Sequence, residues 1–210
     1  MKNPSKHADA LRSLNRSLLK QVKPEPLVPQ EPLKALVRAA MSFDVADDKA
    51  NSAMRLIERE FVDLNELRVA TDLEIQELLG VRYPQIERRV AMITQGLNHI
   101  FEKEHTMSLD RLKEISRRDA RNVLRDLPDI HPFVEAYVML FSFDGHAVPV
   151  DDEILNLLRD EDVVEEDTTL EDAQRFVEHH LKTGEAYPFF VAARQVAFEE
   201  GRKSKKKARS

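Results

Sequence analysis

From Leu33 to Ala197 the apolar residues recur at helical spacing almost without interruption, and this pattern constrains the fold more than any other feature. Leu33, Leu36, Val37, Ala40 and Met41 fall at i, i+3, i+4, i+7 and i+8. Ala50, Ala53, Met54, Ile57 and Phe61 repeat the arrangement, as do Ile86, Val90, Ile93, Leu97 and Ile100. Phe133, Ala136, Tyr137, Leu140 and Phe141 mark another helix. Ile154, Leu155 and Leu158 begin a further one, and Ala186, Phe189, Phe190, Ala193 and Ala197 build the last. Start signals sit where the pattern needs them: Thr71 with Glu74, Ser116 with Asp119, and Thr169 with Asp172 are spaced as N-caps. No stretch sustains the period-2 alternation of a half-buried strand. The reading is an all-α chain of about nine or ten helices.

Charge divides the chain into three. Residues 1–24 hold six Lys/Arg against Asp9, and residues 201–210 hold six Lys/Arg and no acid. The body between, residues 25–200, keeps 20 bases and 37 acids, a net of −17 within an overall −6. Residues 1–30 therefore read as a basic tail with one weak apolar stripe (Leu11, Leu14, Leu18), followed by a stiff linker from Pro24, Pro26, Pro29 and Pro32. Residues 31–200 read as the helical domain, and residues 201–210 as a disordered basic end. Cysteine is absent, which excludes disulfides, thiolate nucleophiles and cysteine-ligated zinc or iron–sulfur clusters within this sequence. No apolar run approaches the ~18 residues of a membrane span, so the expectation is a soluble, cytoplasmic protein.

The stretch Leu127-Pro128-Asp129-Ile130-His131, followed eighteen residues after Phe133 by Asp151, resembles the hairpin and catalytic aspartate of the helix-hairpin-helix DNA glycosylases of the endonuclease III type. In that family the line runs Leu-Pro-Gly-Val-Gly, then a lysine, then a Val-Asp pair. Leu127, Pro128, Ile130, Val150 and Asp151 keep their places; Asp129 and His131 replace the glycines, and Phe133 the lysine. Ser42-Phe43-Asp44-Val45-Ala46-Asp47 resembles the family's Ser-Ala-Gln-Ala-Thr-Asp, with Asp44 where a glutamine probes the space behind a flipped base. Gly80-Val81-Arg82-Tyr83 resembles its Gly-Leu-Tyr turn. The four cluster cysteines have no counterpart here.

The resemblance implies a two-lobed helical fold whose interlobe cleft contains Asp151 as the catalytic carboxylate, with Asp44 and Phe133 at the pocket. It implies double-stranded DNA as partner, met by Asp129, Ile130 and His131 of the hairpin. With Phe133 in place of the amine, Schiff-base lyase chemistry has no nucleophile. Asp151 alone would support hydrolysis of an N-glycosidic bond. The residues also admit a plainer reading, in which Asp129 belongs to a helix–helix turn and Asp151 caps a helix. Arg118, Arg121 and Arg125 precede the hairpin and could meet phosphates, or form a solvated face with the acids between them. Lys205, Lys206 and Lys207 would attract any polyanion. Glu178-His179-His180 has no metal-ligand spacing, and neither a metal nor another cofactor is expected. Two functions remain open at this point: a monofunctional base-excision glycosylase, or a catalytically silent relative acting as a DNA-associated or protein-interaction module. Oligomeric state is not readable.

Overall fold

The computed structural model describes residues 4–207, with side chains over 5–199. Among them are eleven α-helices, one 3₁₀ turn and no strand: the all-α class that the periodicity predicts, with slightly more helices than the nine or ten expected. The chain divides into two compact units: residues 29–145 form one, and residues 1–28 with 146–210 form the other.

The continuous unit holds α2 (Pro32–Ser42), α3 (Asp47–Glu60), α4 (Leu64–Val69), α5 (Asp72–Leu79), α6 (Ile86–Glu104), α7 (Arg117–Arg125) and α8 (Pro132–Ser142). Helices α2 and α8 pack on each other most extensively. Both are apolar nearly all round, and every residue of α8 from Phe133 to Phe141 is buried, so they form the centre of this unit. Each apolar side chain removed from water there contributes about 1.5–3 kcal/mol. The capping signals are realised. Thr71 and Glu74 make a reciprocal capping box on α5, and the Ser116 hydroxyl accepts from the Asp119 N–H on α7.

One buried cation holds three segments of this unit together. Arg89 of α6 is fully buried, and its guanidinium donates to the carbonyls of Pro84, Ala40 and Phe43 at 2.6–2.7 Å. Two of those carbonyls belong to the C-terminal end of α2, where a cation also offsets the helix dipole. The same guanidinium lies 3.7 Å from the Phe43 ring centroid, an arrangement favoured by the ring quadrupole.

The discontinuous unit holds α1 (Pro4–Gln21), α9 (Asp152–Asp160), α10 (Leu170–His180) and α11 (Ala186–Lys207). The weak stripe of the N-terminal segment is a packed face: Leu11, Leu14 and Leu18 are at most 4% exposed, and α1 lies against α11. The N-terminal segment is therefore part of a core rather than a free tail, because three leucines on one face suffice once a partner helix is present. The basic end likewise continues helix α11 as far as Lys207. The side chains of Lys205, Lys206 and Lys207 lie outside the described residues.

Candidate functional site

The turn between α7 and α8 is built from the residues that break the hairpin pattern. Asp129 adopts the left-handed conformation, with φ of 48°, a region that glycine enters without steric cost and Asp tolerates better than most residues. Leu127 is buried, and its carbonyl accepts from the Ile130 N–H at 3.3 Å. His131 is the N-cap of α8. Its Nδ1 accepts from the Phe133 N–H at 3.1 Å, and Pro132 occupies the first helical position. The His131 carbonyl then accepts from the Val134 and Glu135 N–H groups at 2.8 and 3.2 Å. Every backbone donor in the first turn of α8 is thus either absent or spent inside the protein. A helix N-terminus binds an anion through such donors; here the N–H groups of Phe133, Val134 and Glu135 already have partners inside the protein.

His131 also packs on Phe43, ring centroids 4.4 Å apart and planes 5° from parallel. Arg89 therefore stacks on a ring that is itself stacked on His131. Phe133 is fully buried, with its ring 6.0 Å from that of Tyr137 and 6.5 Å from that of Phe43. Asp44, next to Phe43, has φ of 53°. Phe43, His131 and Phe133 thus come together as aromatic core. This arrangement holds the turn without any ligand.

Asp151 starts α9. One carboxylate oxygen accepts from the Ile154 N–H at 3.0 Å, and the other accepts from the Arg194 guanidinium of α11 at 3.0 Å. Asp151 is 0% exposed and the Arg194 side chain 5%. Both oxygens are engaged, and the charge is neutralised where water does not reach.

The basic residues of α7 separate into two groups. Arg121 and Arg125 both ion-pair with Glu135 of α8, the latter at 3.3 Å, and Glu135 is 3% exposed. They tie α7 to α8 across the turn. Arg118 is exposed and makes no ion pair among the described residues. Upstream, Arg111 is held by Glu104 at 2.5 Å, an interaction that lowers the Glu104 carboxyl below its ordinary value and raises the guanidinium. Among the described residues, no cluster of three metal-ligating side chains occurs, and no helix is long and apolar enough to cross a membrane.

Neither any protein-family model nor any curated protein matches the chain by sequence. Solved structures do match it in three dimensions. The Clostridium acetobutylicum 8-oxoguanine glycosylase/lyase, in complex with DNA containing cytosine opposite 8-oxoguanine, superposes with a TM-score of 0.72 at 15% identity. That match covers 93% of this chain and 70% of the other. A non-covalent endonuclease III–DNA complex matches with a TM-score of 0.71 at 13% identity, over 89% and 84%. The H. pylori 3-methyladenine DNA glycosylase bound to 1,N6-ethenoadenine matches at 0.65 and 15%, over 93% and 98%. The fold is that of the endonuclease III-type DNA glycosylases.

Asp129 lies in a helix–helix turn and Asp151 caps a helix, settings common to the plainer reading of these residues and to the one that the resemblance implies. Three residues that define these settings went unnoticed in the sequence: Arg89, Glu135 and Arg194. A signal existed for each. Arg89 stands three residues after Ile86 on the buried stripe of α6, Glu135 interrupts the apolar run of α8, and Arg194 falls four after Phe190 on the stripe of α11. A charge on an apolar stripe is buried only with partners, so each such position announces an internal bond.

Proposed function

We propose that this chain is a glycosylase-fold protein in which base-excision chemistry is silent and which works as a DNA-associated or protein-interaction module. The observation that carries this reading is the state of Asp151. A carboxylate that stabilises a developing sugar cation, or orients a water, needs an oxygen free to face it. Here one oxygen caps α9 and the other holds Arg194, with no exposed surface. The closed N-terminus of α8 and the −17 body point the same way, because both oppose phosphate. Double-stranded DNA, if bound, would be met through the exposed Arg118 and through the charge that Lys205, Lys206 and Lys207 carry in the sequence, in a strongly salt-dependent manner.

The second reading, a monofunctional glycosylase using Asp151, rests on that residue's helix-start position in this fold. One experiment separates the two. Duplexes carrying 8-oxoguanine, 3-methyladenine, ethenoadenine, uracil or thymine glycol are incubated with the full chain, and alkali-labile sites are counted. No excision, together with equal binding of intact and abasic-analogue duplexes, is the expected result. Excision of any base that Asp151→Asn abolishes would overturn the proposal in favour of the enzyme.

A further inference from the structure

A cavity of about 520 Å³ lies in the discontinuous unit, between α1 and the end of α10. Asn15, Arg16, His180 and Lys182 give it its chemistry; Arg12 and Asp9, which pair with each other, and Glu185 complete the polar wall. Its size falls in the range of small-molecule sites.

Three observations give the cavity a preference. Asn15 is 7% exposed, on the face of α1 that buries Leu11, Leu14 and Leu18, and its Oδ1 has no hydrogen-bond partner. A buried acceptor left in this state is costly and calls for a donor from elsewhere. The Arg16 guanidinium spends only Nε, on the Arg12 carbonyl at 3.3 Å, and the Lys182 ammonium makes no bond among the described residues. Glu185 accepts the Lys182 backbone N–H at 2.8 Å and makes no ion pair with that ammonium among the described residues. Finally, His180 Nδ1 lies 2.9 Å from the Phe176 carbonyl. It must donate there, which leaves Nε2 of the neutral ring as an acceptor.

The lining thus offers two cations with free donors next to two acceptors. We propose that this cavity binds a small phosphomonoester carrying hydroxyl or amino donors. The phosphate would lie between Arg16 and Lys182, and the donors would face Asn15 and His180. His180 also borders a second cavity of about 640 Å³ lined by Glu165, Asp167, Asp172 and Arg175; a duplex is far larger than the 520 Å³ cavity and serves as the competitor in the test. The proposal is independent of the reading of Asp151, since no residue is shared.

The test is calorimetric titration of the full chain with inorganic phosphate, ribose 5-phosphate, adenosine 5′-monophosphate and a 12-base-pair duplex. Ribose 5-phosphate or the nucleotide should bind at least tenfold more tightly than inorganic phosphate. Arg16→Ala and Lys182→Ala should each weaken that binding at least tenfold. Asn15→Leu should remove the preference over inorganic phosphate and, in the ligand-free protein, raise the melting temperature, because an unpartnered polar group is replaced by an apolar one. Failure of every phosphomonoester to bind would overturn the proposal. So would binding indifferent to Arg16→Ala and Lys182→Ala, tighter binding of the duplex that those variants abolish, or an Asn15→Leu protein that melts lower with its ligand preference intact.

Discussion

Replacing Arg194 with methionine isolates the question on which the functional reading turns. Methionine matches the aliphatic stem of arginine and keeps the packing of α11, so the change removes mainly the guanidinium that one Asp151 oxygen holds at 3.0 Å. Both side chains are at most 5% exposed, so the carboxylate is left charged, buried and half-paired. Breaking a buried pair in this way costs about 3–5 kcal/mol. For a chain of this size that corresponds to a fall in melting temperature of roughly 6–20 °C, at about 2–4 °C per kcal/mol. Asp151→Asn keeps the helix cap through its one carbonyl oxygen, but its NH2 group then faces the Arg194 guanidinium, which loses its carboxylate, so this change should cost a comparable amount. Combining the two changes should recover part of the loss, with a coupling of at least about 1 kcal/mol.

Far-UV circular dichroism during urea and thermal unfolding measures these losses. Because the chain comprises two units, hydrogen exchange on peptides from α9 and α11 assigns the loss to the unit that holds the pair. The variant should exchange faster in those two helices while α2 and α8 keep their protection. If Arg194→Met costs less than about 1 kcal/mol and leaves α9 and α11 protected, water already serves the Asp151 carboxylate. The argument for silent chemistry would then fail.

Three further outcomes follow from the same geometry. Asp129→Gly relieves the left-handed backbone at φ of 48° and should stabilise the chain by up to about 1 kcal/mol in urea unfolding. It should not strengthen DNA binding in a fluorescence titration, since Pro132 and the His131 cap still close the N-terminus of α8. Glu135→Leu leaves the part-buried Arg121 without its acid, whereas Arg125, 54% exposed, turns to water; the change should cost about 1–3 kcal/mol, read by the urea midpoint, and no loss would mean that Arg121 too is served by solvent. The Glu104 carboxyl is lowered by Arg111, so its contribution is fully present above the ordinary carboxylate value and is lost as pH falls through the lowered one. Glu104→Gln should therefore reduce stability by about 1 kcal/mol or less at neutral pH. The difference from the parent chain should vanish in strongly acidic buffer, and a difference that grows there would contradict the sign.

Helices were legible because period and caps are local. Thr71, Ser116 and Thr169 each cap the helix expected of them, and Leu11, Leu14 and Leu18 marked a packed face even in a segment otherwise basic enough to pass for a tail. Asp151 was legible both as a helix start and as the candidate carboxylate. Its second bond was not, since Arg194 lies 43 residues away and nothing local in either segment names the other. The two-unit division was legible only through the resemblance, which implies two lobes; nothing local in α1 names the helices more than a hundred residues downstream that it joins. Arg121 and Arg125 admitted both a phosphate-facing and a solvated reading; their pairing with Glu135 was not legible because that acid sits within an apolar run.

The departures from the hairpin pattern form a set, and their bonds explain why the turn keeps its shape without DNA. In a glycine-rich hairpin the first-turn donors are left open, which costs stability until a phosphate arrives. Here His131 takes one donor, Pro132 removes another, and the His131 ring adds a stack on Phe43 backed by Arg89. The His131 bond and Pro132 each take away a donor that a phosphate would use, and the stack fixes the His131 ring that makes the first of them. Asp129 adds a charge that any phosphate would meet. Reverting one position does not reopen the turn: glycine at 131 frees the Phe133 N–H but leaves Pro132, Asp129 and the Glu135 anchor in place. The energy that such a turn would otherwise draw from DNA is drawn here from the protein's own side chains, which is the physical ground for the proposal that base excision is silent in this chain.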